Sequence, residues 1–124
     1  MGIADQLNAM RRDFSECRMA TFADLASGLV LFTSADGRVP QERLDALCGR
    51  ARWIFSGAAG EAASAMLRAP VQQAVLPDGD GLLVLVRSPS EPDEALVCHC
   101  TADVDLPSFT ARAARELAAL GSAQ

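Results

Sequence analysis

The stretch "PQERLDALCGRARWIFSG", residues 40–57, decides how the rest of the chain is read. Leu44, Leu47, Cys48, Ala51, Ile54 and Phe55 fall on one side of a helix, the ordinary stripe that covers a sheet. Ala46, Gly49, Arg50 and Trp53 fall on another side, where small residues flank one large aromatic. A helix that only lies on its own sheet needs the first stripe alone. The second suits close approach of another helix, so the pattern predicts a helix that serves a core and an interface at once. Pro40 suits the helix start, and Gly57 and Gly60 are expected to end or break it.

Upstream, Ile3, Leu7, Met10 and Phe14 form one apolar stripe and predict a first helix. Two β-leaning runs at 17–23 and 29–34 flank "DLASG", in which Gly28 can take the positive φ of a turn, so a hairpin is expected. Downstream, "EAASAMLRA" predicts at most a short helical turn before Pro70. "VQQAVL" and "LLVLVR" joined by "PDGDG" predict a second hairpin, and "ALVCHCT" a further strand. Asp105 can cap a final helix that presents Leu106, Phe109, Ala113, Leu117 and Leu120 on one face and ends at Gly121. The expected fold is therefore α+β in the order αββαβββα, a mostly antiparallel five-stranded sheet with three helices.

At 124 residues the chain is long enough for one core, and a single domain over residues 1–124 is expected. Its net charge of -5 opposes a phosphate backbone, and its basic residues cluster only at Arg11 and Arg12, so nucleic acid is an unfavourable partner. An aromatic content of 5% is low for stacking on bases or sugars. The start "MGIADQLNAMRRDF" lacks the pattern of a signal peptide, and no run approaches a membrane span, so a cytoplasmic protein without membrane insertion is expected. Arginine without lysine and much alanine fit a GC-rich bacterial genome. In that compartment Cys17, Cys48, Cys98 and Cys100 are expected to stay reduced.

The order of elements, the hairpin "FADLASGLVLFTS", the helix from Pro40 and the hairpin "VQQAVLPDGDGLLVLVRS" resemble the roadblock/dynein light chain family across roughly residues 4–120. The resemblance implies a homodimer in which central helices pack together and third strands meet. It implies a dimer-facing side at Ala46, Gly49, Arg50 and Trp53 on a helix over 41–56, and a third strand at Val71, Gln72, Gln73, Ala74 and Val75, with Val71, Gln73 and Val75 at the contact. It also implies a non-enzymatic scaffold that regulates a Ras-like small GTPase, with no cofactor. Pro70 and the extra "GAAGEAASAMLRA" depart from the family pattern.

Two other readings are open. In "VCHC", strand alternation puts Cys98 and Cys100 on one side and His99 on the other, so this segment alone supplies no three-ligand cluster. In the family the first and last strands are adjacent, which brings Cys17 towards Cys98 and Cys100 as a conceivable metal or thiol sensor; small buried cysteines are the plainer expectation. His99 lacks a nucleophile at suitable spacing and an identifiable acid to orient it, which argues against catalysis. A small-molecule-sensing domain of the PAS or profilin-like kind would instead enclose a pocket between sheet and helix.

Overall fold

A computed structural model describes residues 2–122. Helix α1 (Ile3–Asp13) precedes strands β1 (Cys17–Asp24) and β2 (Leu29–Ala35). Helices α2 (Gln41–Ser56) and α3 (Ala58–Leu67) follow, then β3 (Gln73–Asp78), β4 (Gly81–Arg87), β5 (Glu94–Thr101) and α4 (Leu106–Ser122). The five strands form one sheet in the order β2-β1-β5-β4-β3, and every neighbouring pair is antiparallel. β2 and β3 are therefore its two free edges.

There are four helices among the described residues, one more than the sequence predicts. The segment read as a short helical turn is the ten-residue α3. Gly60 does not break it: it is buried, and a Cβ there would collide with the carbonyls of Ile54 and Phe55. The missing side chain lets α3 fold back against the end of α2. Gly57 provides the single extended residue between them, at φ -82° and ψ -174°. α4 also continues one residue past Gly121.

Turn chemistry explains both hairpins. Gly28 and Gly79 take φ of 75° and 64°, the left-handed region that costs glycine nothing. Asp105 caps α4 through Ser108, whose backbone N–H donates to Oδ1 at 3.3 Å and whose hydroxyl donates to Oδ2 at 3.0 Å.

Each face of the sheet has its own core. On one, α1 and α4 bury Leu7, Met10, Phe109, Ala113 and Leu117 against Ala20, Phe22, Val84, Leu96 and Cys98. Phe14 meets Phe109 edge-to-face with ring centroids 5.2 Å apart. On the other, α2 lays Leu47, Ala51 and Phe55 over Met19, Leu83, Leu85 and Val97. Each fully buried leucine or phenylalanine contributes about 1.5–3 kcal/mol of transfer free energy, so both layers are needed.

Candidate functional site

With the first stripe of α2 buried, the second points outward. Ala46 and Gly49 are exposed, and Trp53 is 60% exposed, an unusual position for so large an apolar surface. Gly49 has nothing within 4 Å of where a Cβ would stand, so open space lies in front of this side of the helix. Arg50 is half-buried and tied to Asp78 at the end of β3, its Nη1 donating to Oδ1 at 3.3 Å.

The free β3 edge stands beside this helix face. Its residues alternate: Ala74 and Leu76 pack into the core beneath α2, whereas Gln73, Val75 and Pro77 are exposed, Val75 by 41%. The strand begins two residues later than the resemblance implies. Val71 precedes it and packs against the α2 core, and Gln72 still touches β4 by accepting a hydrogen bond from the Arg87 amide at 2.8 Å. Pro77 brings no N–H, which an edge strand tolerates, and leaves residues 73–76 as the part with an uninterrupted set of donors. On α3, Met66 and Leu67 are further exposed apolar side chains, at 86% and 66%.

Asp78 is the polar residue that sequence reasoning missed. Besides Arg50 it faces Arg43 Nη2 at 3.5 Å and His99 Nε2 at 3.5 Å, so it gathers two arginines from α2 and an imidazole from β5. In "PDGDG" it reads only as a turn residue, and nothing local marks its partners. His99 thus does have an acid beside it. Asp78 is shared with two arginines, however, and works as a clamp between α2 and the sheet edge.

The cysteines fall as strand alternation requires, with help from an irregularity. Between Cys17 and Met19 the β1–β5 register shifts, leaving Arg18 outside the ladder. Cys17, Cys98 and Cys100 consequently share the α1/α4 core, while His99 looks to the other side. Among the described residues no group of three or more potential ligands is arranged to hold a metal ion. Two of the surface cavities, of about 490 Å³ beside Pro40 and about 320 Å³ beside Trp53, lie outside the cores, away from the space between sheet and helix where a PAS-like domain holds a ligand.

Solved structures match this architecture over nearly its whole length. A Roadblock/LC7 domain from Streptomyces avermitilis superposes with a TM-score of 0.80, covering 98% of this chain and 97% of that one at 14% identity. The fold is that of Roadblock/LC7 domains. The gliding protein MglB from Thermus thermophilus has the same roadblock fold, with a TM-score of 0.75 and 20% identity over 97% of this chain and 90% of its own. So does an MglB solved with a tetrameric arrangement, at 0.74 and 21% identity over 97% and 89%. By sequence alone no family model and no curated protein matches the chain. At such identities the likeness is one of fold. Among the described residues no helix is long and apolar enough to cross a membrane.

Proposed function

We propose that this chain is a non-enzymatic homodimeric interaction module of the bacterial cytoplasm, in which Ala46, Gly49, Arg50 and Trp53 of α2 face their symmetry mates and the β3 edges meet through Gln73 and Val75. The observation that carries this reading is Trp53, 60% exposed on a helix face lined by Ala46 and Gly49, on a helix whose Arg50 reaches Asp78 of the unpaired β3 edge. Tryptophan and arginine are favoured interface anchors, and an open strand edge is a ready template for another strand. A twofold axis near Trp53 uses each contact twice. Val71, turned into the core, supports the β3 edge from beneath. The tetrameric arrangement of one MglB supports self-association as a property of this fold.

The dimer then presents a composite surface to a partner. A Ras-like small GTPase is the partner implied by the roadblock resemblance, and the gliding proteins that share the fold are in keeping with a regulatory role.

Sedimentation velocity on wild type and Trp53→Glu tests the proposal. A wild-type dimer and a folded mutant monomer are expected, because a carboxylate cannot be buried unpaired at the contact. A mutant that remains dimeric places the interface elsewhere, and a monomeric wild type ends the proposal. The GTPase is tested by calorimetry with a Ras-like GTPase loaded with GDP or a GTP analogue; binding that Trp53→Glu abolishes is expected, and no binding in either state removes that partner.

A further inference from the structure

The α1/α4 face holds a group of side chains that dimerisation through α2 does not use. Cys17 and Cys100 are direct partners in the β1–β5 ladder. The amide of Thr101 donates to the Glu16 carbonyl at 2.9 Å, which makes Glu16 and Thr101 the hydrogen-bonded pair and Cys17 and Cys100 the adjacent non-hydrogen-bonded one. In such a pair the Cα atoms approach to about 4.5 Å. A disulfide requires roughly 4.4–6.8 Å, so the backbone already stands within bridging distance. Cys98 is opposite Ala20, further along the ladder.

Cys17 is itself buried, at 2% exposure, but it lines the wall of a cavity. This cavity, of about 420 Å³, opens between the end of α1 and the start of β1 and is also walled by Arg11, Arg12, Ser15 and Arg18. Arg11 holds Asp36 at 2.7 Å and donates to the Ser34 hydroxyl at 3.2 Å, yet its Nε is buried without a partner among the described residues. Arg12 and Arg18 are exposed and form no ion pair among those residues. Of the three arginines in the cavity wall, Arg11 is the one whose charge favours the Cys17 thiolate, the form that reacts. Hydrogen bonds from Cys100 and Cys98, aided by Arg11, hold the Cys17 thiol below its ordinary range. The same bonding, together with burial, pushes Cys98 and Cys100 up, and Glu16 adds to the rise at Cys100. Cys48, under α2, is raised by burial.

The geometry points to a redox-active dithiol in which Cys17 reduces a hydroperoxide entering through the arginine-walled cleft and Cys100 resolves the product. The Cys17 thiolate attacks the terminal peroxide oxygen; an S–O bond forms, the O–O bond breaks, and the alcohol or water leaves after taking a proton. Cys17 is then a sulfenic acid. Cys100, losing its proton, attacks the Cys17 sulfur; the S–S bond forms, the S–O bond breaks, and the departing hydroxide takes that proton to leave as water. Two thiols are oxidised by two electrons, and one peroxide is reduced.

The test treats reduced protein with hydrogen peroxide, alkylates the remaining thiols in denaturant and maps the peptides by mass. Loss of two thiols and a Cys17–Cys100 cross-linked peptide are expected. Cys100→Ser should stop at a Cys17 sulfenic acid that dimedone traps, and Cys17→Ser should keep all its thiols alkylatable. Arg11 acts as a positioning residue, so Arg11→Gln should move the pH midpoint of Cys17 alkylation upward. Trp53→Glu should leave cross-linking unchanged, which separates this site from the dimer. Four alkylatable thiols after peroxide, a link from Cys17 to Cys98, or oxidation confined to Cys48 overturns the assignment.

Discussion

α4 and α2 are helices of 17 and 16 residues on opposite faces of one sheet, and they differ in what they leave outside. α4 buries Phe109, Ala113 and Leu117 completely. Its outward Arg112 is engaged twice, donating to Asp13 at 2.7 Å and to Glu116 at 2.9 Å. α2 buries its own stripe as well, yet leaves Trp53 outside with Ala46 and Gly49 around it. One helix is completed by its own chain, while the other carries more apolar surface than its own sheet can cover. Amphipathicity therefore accounts for α4 fully and for α2 only in part.

That contrast can be broken most severely inside α4. Phe109→Ala should cost about 3–5 kcal/mol in denaturant unfolding, because it empties the centre of a core and loses the contact with Phe14. The folded fraction should associate as wild type does. Trp53→Ala should do the reverse, changing monomer stability by less than about 0.5 kcal/mol. Its dissociation constant, read by analytical ultracentrifugation, should rise by about 30-fold or more, the equivalent of an anchor worth about 2 kcal/mol. Equal effects of both changes on unfolding would show that the outer stripe is core after all.

Smaller effects sharpen the comparison. Arg112→Ala should lower stability by about 1 kcal/mol, since its guanidinium is mostly shielded and ties α4 to α1. Arg50→Ala should cost less in unfolding, its side chain being 42% exposed beside Asp78. The smallest change belongs at the sheet end, where Glu94 lies opposite Asp24. Burial, then Glu91 and Asp24, raises its carboxyl above the ordinary value of 4.5, so the charged form works against folding at neutral pH. Glu94→Gln should gain under about 0.5 kcal/mol at pH 7, and the gain should vanish below about pH 4.5, where the carboxyl is protonated in the folded and unfolded chains alike.

The sequence made α4 more legible than the α2–α3 corner for a physical reason. A stripe such as Leu106, Phe109, Ala113 and Leu117 is a local signal with one period. Both hairpins were legible in the same way, through Gly28 and the "PDGDG" turn. Gly60 misleads because glycine is punctuation only until the tertiary contact is known; here it is the residue that lets two helices touch. Outward Trp53 was foreseeable from its place opposite Leu47 and Phe55. The start of β3 was not, since Val71 and Val75 look alike in sequence and only packing turns Val71 inward. Asp78 gathers Arg43, Arg50 and His99 from distant parts of the chain, a convergence that no local pattern encodes.

The two borders of the sheet differ in how well they could template another strand. At β2 the pairing skips between Phe22 and Ala23, leaving Leu31 unmatched while Leu29, Leu31 and Phe32 are exposed. A smooth apolar border there would invite copy after copy in an open-ended ribbon. The skipped residue bends the strand and spoils the spacing of its free amides and carbonyls, so a newcomer finds no continuous template. β3 pairs with β4 without any such skip. If the β3 borders meet as proposed, one regular border and one spoiled border favour a single pairing over an open-ended ribbon.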